Sequence, residues 1–426
     1  MTNQITLSSS YSSTEKKNIG IFCLANGISL FGSSIYTFAI GLYVLEHTRS
    51  GLSYAITLFM NIVSTLLFTP LAGVIADRLP RKKLLILSDL VSGLFMLYLL
   101  WILKNASLPV GQIYLITFLL TGSITFYNIA AESAKPNLIT PTHIMQINSI
   151  QKIVESASSM LGPALGGIAF AFLSIHTFVT INLFSFFISA FLQLFLSFSD
   201  TNKYKEKECE SAPIEKRHLL DDLQEGVSYI KAHKELNRLI ITLIILNFFL
   251  GFSTLVPLPY LLTQVLKVSS KTLGITQGAV PVGMILGALF IRYLSKKISN
   301  ESILKSAVLL LALSMICAGL SVFLPATLHR EWLLLCYFFL LMLLSGIALS
   351  LVDIPIFNTF ALAVPNHIRG RVISLVICLV KVISPFSLLL SGLLLTRIPT
   401  FILPITGGIS LSFLYLFLSK KATYND

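Results

Sequence analysis

"GVIADRLPRKK", Gly73 to Lys83, places one acid and four cations within eleven residues, between two apolar runs at Leu52 to Ala72 and Leu84 to Leu103. Apolar runs of about 20 residues are long enough to cross a hydrocarbon core of about 30 Å as helix. The stretch therefore reads as a short charged loop between two membrane spans. The glycine four residues ahead of the acid needs a further reason.

The same alternation runs through the chain. Of 426 residues, 55% are hydrophobic and only 12% charged, where a soluble domain carries about 25%. Twelve spans are predicted, at 19–45, 52–76, 84–103, 110–131, 144–173, 176–198, 238–263, 272–291, 302–324, 332–360, 367–395 and 399–418. The fold class expected is an all-α polytopic membrane protein. The polar opening "MTNQITLSSSYSSTEKKN" has no short apolar core with a small-residue cleavage site, so no cleavable signal peptide is expected.

The net charge of +12 raises the possibility of a nucleic-acid partner, but the cations lie in short loops between spans. With the N-terminus placed inside, 24 of the 31 Lys and Arg fall in inner segments and six in outer loops. Cytoplasmic loops carry the Lys/Arg excess. A multi-pass protein of the cell membrane with both termini cytoplasmic is expected. The five cysteines are scattered, so neither a disulfide framework nor a metal site is expected. No GxxxxGK[ST] loop occurs, so ATP drive has no support, and no cofactor is expected.

The opening stretch has an echo. "GALFIRYLSKK", Gly287 to Lys297, repeats its Gly, Arg, Lys and Lys at identical spacing, with Ile291 in place of the acid. "PTHI" (141–144) and "PNHI" (365–368) each open the fifth span of their half. Together these imply two related six-span bundles, 1–198 and 238–426, joined by a cytoplasmic linker, 199–237. Within the linker Leu219, Leu220, Leu223, Val227 and Ile230 recur at helical spacing, which predicts an amphipathic helix. Transporters are often built from such repeats, with the substrate site between them.

Two six-span halves, a long inner link and G-x-x-x-D-R-x-x-R-K-K after the second span resemble the major facilitator superfamily. "GPALGG" (162–167), "LQEGVSYIKAHKEL" (223–236) and "VPNHIRGRVIS" (364–374) are similar to its drug exporters of the macrolide-efflux and enterobactin-exporter type. This resemblance implies a monomeric secondary transporter.

Gly73 lacks a side chain and lets span two approach a neighbour closely. Asp77, as an anion, would be stabilised at a helix N-terminus by about 0.3–1 kcal/mol when exposed. The resemblance implies that Asp77 meets the start of span eleven near Arg369 and Arg371, and that Arg78, Arg81, Lys82 and Lys83 complete a latch closing the cytoplasmic side. These cations also enforce topology. In span five, Gly162, Pro163, Gly166 and Gly167 permit a kink and close helix contact. In the resembling exporters this motif marks antiport and shapes the seam between halves.

A charge in mid-membrane costs roughly 2.5–3.5 kcal/mol on insertion scales. Asp353 and Lys381 lie at similar depth in spans ten and eleven, where they could form a switchable pair or a permanent structural one. Glu132 and Glu155 are shallower. All four are coupling candidates. Polar residues step along span four (Thr117, Thr121, Thr125, Asn128) and span one (Asn26, Ser29, Ser33, Tyr36) at helical spacing. The resemblance implies that spans one, four, seven and ten line a central cavity, to which Asn247, Thr254 and Asn358 would add. Related exporters commonly carry an arginine midway along span four. Here Leu119 and Leu120 stand in that neighbourhood, so any proton coupling must use another group.

The expected function is secondary export of a hydrophobic or amphipathic small molecule (a drug, antibiotic or siderophore-like compound) in exchange for protons. An importer, a lipid mover or a non-transporting membrane sensor of the same fold are the alternatives. A membrane enzyme would need clustered catalytic groups that the sequence does not offer.

Overall fold

A computed structural model describes residues 13–105, 110–140, 143–198, 228–230, 232–325 and 330–420. Within these, the side chains of Asp77, Arg369 and Arg371 lie outside the described residues. So do Leu219 to Val227 of the expected linker helix.

Among the described residues, twelve long helices follow one another: α1 (Ser13–Thr48), α2 (Gly51–Arg78), α3 (Arg81–Asn105), α4 (Val110–Leu138), α5 (Ile144–Phe172), α6 (Ile175–Leu194), α7 (Lys234–Leu250), α8 (Ser270–Leu294), α9 (Asn300–Leu320), α10 (Glu331–Ala363), α11 (Asn366–Leu394) and α12 (Ile402–Lys420). Among the described residues ten spans are long and apolar enough to cross a membrane, and Ile402–Leu416 of α12 is a shorter apolar helix.

The opening stretch straddles a helix break. α2 ends at Arg78, Leu79 is its extended C-cap, and Pro80 precedes α3. Proline has no N–H to donate, which suits a helix start and not a helix interior. Other breaks are set by serine. Ser50, Ser174, Ser269 and Ser299 each accept from the backbone N–H three residues on, satisfying an orphan donor of α2, α6, α8 and α9.

α7 is prolonged by π-helix at Gly251–Leu255, one α turn at Pro257–Tyr260, and π-helix again at Leu261–Val265. Pro257 and Pro259 lack the N–H an α-helical turn would use, and widened turns absorb the mismatch.

Which helices pack together repeats with an offset of six. α1 packs on α5 and α6, α2 on α4, and α3 on α4 and α6; α7 packs on α11 and α12, α8 on α10, and α9 on α10 and α12. One end of the bundle carries the described ends of the chain, Ser13 and Lys420, and we call it the terminal end; the other is the distal end. At the terminal end each half has its own core. One joins Phe22, Leu85, Tyr127, Leu138 and Leu196, the other Ile230, Leu236, Leu304, Phe360 and Leu418. Ile230 is thus the described piece of the linker that docks, with the Tyr229 hydroxyl donating to Ala363 O.

At the distal end the cores are shared. Leu42 packs with Leu258, Leu262 and Phe338, while Leu45, Tyr54 and Ala55 pack with Phe252, Leu388 and Leu395.

Candidate functional site

Two helix pairs form the seam between halves: α2 with α11 and α5 with α8. Both close at the distal end through small residues. A Cβ on Gly392 of α11 would stand 2.5 Å from the Ala55 Cβ and 3.1 Å from the Leu52 Cα of α2. A Cβ on Gly167 of α5 would overlap the Gly274 Cα of α8. Only glycine allows backbones this close. Glu46 of α1 accepts from the Ser270 hydroxyl, and Lys271 lies 5.2 Å from the Phe172 ring centroid, adding polar contacts to the same closure.

Eleven residues are about three helical turns, so positions eleven apart share a face. Three turns from Gly167, Gly274 and Gly392 toward the terminal end lie Ser156, Ile285 and Lys381, and all three are exposed. Eighteen residues, five turns, beyond Ala55 on α2 lies Gly73, where a Cβ would meet no atom within 4 Å. The four seam faces are therefore packed at the distal end and open at the terminal end. The close contact expected of Gly73 is not made in this conformation.

The glycine motif of α5 works on two faces. Cβ atoms on Gly162 and Gly166 would collide with Ser34 and with Phe38 of α1, whereas Gly167 touches α8. α5 is thus locked to its own half by two glycines and meets the other half through the third. Pro163 sits inside the helix without ending it.

Two cations of the opening loop, Arg81 and Lys82, turn to their own half. Arg81 donates to the Asn137 side chain at 2.8 Å, and the Lys82 ammonium donates to the carbonyls of Leu194 and Leu196 at 2.7 and 2.8 Å. A cation at a helix C-terminus satisfies orphan carbonyls and complements the dipole. The expectation of a latch reaching α11 is not met by these two residues. Arg78 and Lys83 are exposed.

The coupling candidates divide. Gln151 of α5 donates to Glu132 of α4 at 2.8 Å and to Glu155 at 3.0 Å, so it brings two carboxylates to one amide. Lys135, buried, pairs with the exposed Glu132 at 2.7 Å. Asp353 and Lys381 are not brought together: among the described residues no ion pair joins them, and Lys381 is exposed.

The cavity candidates also divide. The span-one stripe does not face the seam. Asn26, Ser29, Ser33 and Tyr36 are buried inside the first half, where Ser29 donates to Asp89 of α3 and Tyr36 packs with Met96, Leu120 and Phe186. Thr125 is buried against its own helix, and Thr121 donates to Asn61 of α2 at 2.6 Å. Asn128 and Asn358 are exposed, and Asn247 and Thr254 are partly so. Beside Asn247 the rings of Phe248, Phe249 and Phe252 cluster, with Phe248 and Phe252 stacked at 5.8 Å.

Two buried groups escaped the sequence reading: Asp89 in "LSDL" and Gln193 in "FLQLF", both about 1% exposed. A lone acid in an apolar span is a visible signal. Its partner on α6, 104 residues away, is not.

A bundle of membrane-length helices in two repeating halves, sealed at one end of the seam and parted at the other, is a membrane transporter. The chain belongs to the Major Facilitator Superfamily, whose family model matches residues 22–385. It is similar to Macrolide efflux protein A of Streptococcus pyogenes, 21% identical over 378 residues, with 87% of each chain covered. It is also similar to Multidrug efflux pump Tap of Mycolicibacterium fortuitum, 24% identical over 384 residues with 85% of each chain covered. With the uncharacterized MFS-type transporter YfiS of Bacillus subtilis it shares 25% identity over 217 residues, 51% of this chain and 50% of that one.

Among solved structures, nucleoside transporter NupG aligns with TM-score 0.69 at 12% identity, covering 96% of this chain and 100% of that one. A bacterial homologue of the iron transporter ferroportin, in an inward-facing state, aligns with TM-score 0.65 at 15% identity, covering 95% and 99%. At these identities the likeness shows the fold alone.

Proposed function

We propose that this transporter is a secondary exporter of hydrophobic or amphipathic small molecules, exchanging them for protons by alternating access. The observation that carries the reading is the asymmetric seam, with Gly167 against Gly274 at the distal end and Gly73 in open space toward the terminal end. The Lys/Arg excess assigns the terminal end to the cytoplasm, so the state described is open inward. The halves 1–198 and 238–426 are the moving units. When they rock, the terminal end closes, Gly73 gains its neighbour, and Asp77 meets the start of α11.

Two relatives whose names state efflux cover most of the chain and support the export direction and the substrate class. The Phe248, Phe249 and Phe252 cluster beside Asn247 supplies the apolar surface with few polar anchors that a bulky amphipathic compound needs. Glu132 and Glu155, joined by Gln151, are acids placed to exchange protons at the open end.

Uptake of a fluorescent amphipathic dye and of a macrolide into everted membrane vesicles tests this. Accumulation should depend on the protein, follow an imposed proton gradient and collapse with an uncoupler. Protein-dependent accumulation that ignores the uncoupler would remove proton antiport. Accumulation in right-side-out vesicles in place of everted ones would reverse the direction.

A further inference from the structure

The two halves repeat their packing, but between one pair of helices the repeat is broken. In the first half α1 is tied to α6 at three levels. Asn18 exchanges hydrogen bonds with the Ser197 backbone, the Ser189 hydroxyl donates to Ala25 O at 3.0 Å, and a Cβ on Gly32 would collide with the Asn182 and Ser185 side chains. In the second half the outer two levels recur between α7 and α12. Arg238 donates to Leu418 O at 2.9 Å at the terminal end, and a Cβ on Gly407 would overlap the Ser253 hydroxyl toward the distal end. Among the described residues the middle tie is missing. Ser410 stands eight residues ahead of Leu418, as Ser189 stands eight ahead of Ser197. Its hydroxyl returns to Thr406 O of its own helix, and Thr242 of α7 likewise turns back to Arg238 O.

A cavity of about 640 Å³ fills the gap, a volume typical of ligand pockets, which span roughly 300–1,000 Å³. Its lining is graded along one face of α7. Lys234, Asn237 and Arg238 edge it at the terminal end, and Ile241, Ile245 and Phe249 follow at helical steps. Arg238 to Phe249 is eleven residues, about 16 Å of helix, or half of a hydrocarbon core of about 30 Å. The groove is therefore one leaflet deep, with charge at its mouth and apolar side chains below. Phe413 of α12 lines the opposite wall, and both Phe413 and Ile241 are exposed. At membrane depth, polar side chains face a water-filled interior and apolar ones face lipid. None of Asn247, Thr254 and Asn358, the polar candidates for the central cavity, lines this groove.

The mouth is positive. Among the described residues no carboxylate lines the groove. Glu301 lies 3.7 Å from Arg238 and 3.1 Å from Lys305, so these three groups together keep one positive charge. Lys234, exposed at the start of α7, adds a second.

We propose that the groove between α7 and α12 binds one anionic phospholipid. Lys234 and Arg238 meet its phosphate, the Asn237 amide donates beside them, and an acyl chain lies along Ile241, Ile245 and Phe413 down to Phe249. Basic pockets between spans are suited to anionic headgroups, and the chain supplies the contact between α7 and α12 that Ser189 makes between α1 and α6. The lipid's place in the inner leaflet rests on assigning the terminal end to the cytoplasm. Recognition of the headgroup does not, and neither depends on the export reading.

The test uses the full chain with Phe413→Trp as reporter, together with Trp101→Phe and Trp332→Phe, in phosphatidylcholine vesicles. Phosphatidylglycerol or phosphatidylcholine brominated on the acyl chains is added in turn, since bromine quenches tryptophan on contact. Quenching by the brominated phosphatidylglycerol should saturate at a low mole fraction, at least about fivefold lower than for the brominated phosphatidylcholine, the weight of one cation near a membrane surface. Lys234→Gln, at an exposed position, should cut that preference about fivefold. Native mass spectrometry of the unmutated chain should show one phosphatidylglycerol retained in preference to phosphatidylcholine. Equal quenching by the two lipids, quenching that never saturates, or a preference unmoved by Lys234→Gln overturns the site. Competition by inorganic phosphate would make it a free-anion site, and displacement by an amphipathic dye would make it a substrate entrance; either overturns the proposal. Dye export absent from vesicles in which the lipid preference holds would overturn the export reading and leave this site standing.

Discussion

Gly167 of α5 and Gly274 of α8 meet backbone to backbone across the seam, so that a Cβ on either would overlap main-chain atoms of the other. The contact exists only while the distal end is shut. Gly274→Val should therefore bias the protein toward the opposite state. Spin labels at Ser156 and Ile285, exposed three turns below this contact, should move closer in the variant. Transport should fall at least tenfold, which corresponds to about 1.4 kcal/mol of bias. An unchanged distance distribution would separate the glycine contact from gating.

Gly73 should behave in the opposite sense. It has free space now, so Gly73→Leu is expected to fold and insert normally while hindering closure of the terminal end. Asp77→Asn removes an anion whose helix-terminus interaction is worth about 0.3–1 kcal/mol, a two- to fivefold effect on the same equilibrium. Both variants should accumulate in the inward-open state and export dye more slowly. Full export by both in everted vesicles would discard the latch.

Lys82 makes a prediction about stability. It donates to two carbonyls at the end of α6. Lys82→Met leaves them without that donor and should cost about 1–2 kcal/mol, read as a lower Tm in detergent. Lys83, exposed in the same loop, should tolerate the same change with no loss. Equal Tm values for the two variants would show that the carbonyl contacts carry no weight.

Glu155→Gln and Glu132→Gln should separate downhill from uphill movement. With Gln151 holding both acids at one amide, removing one charge should leave equilibration of dye across the membrane intact. Accumulation against a gradient should be lost. Retained uphill accumulation in the double variant would move coupling elsewhere.

Helix number, the repeat and the charged loop of this molecule are legible in sequence because they depend on local pattern. Twenty apolar residues make a span whatever surrounds them, and Pro80 breaks a helix by its own geometry. The direction a polar face points is not local. Asn26, Ser29, Ser33 and Tyr36 look like a cavity wall on α1, yet they are buried in their own half, where Ser29 meets Asp89 of α3 and Tyr36 joins an apolar core with Met96 and Phe186. Arg81 and Lys82 read as a gate, and in this state they secure α4 and α6. Asp353 and Lys381 match in depth, but depth says nothing about azimuth.

The distal closure is nearly free of ionic bonds, since among the described residues it rests on leucines, Tyr54 and facing glycines, with the Glu46–Ser270 bond and Lys271 over the Phe172 ring as its polar ties. Parting those surfaces admits water between oily side chains, a penalty that shrinks on cooling. The carrier's resting preference should accordingly drift with temperature and respond little to ionic strength: a thermometer built into a doorway.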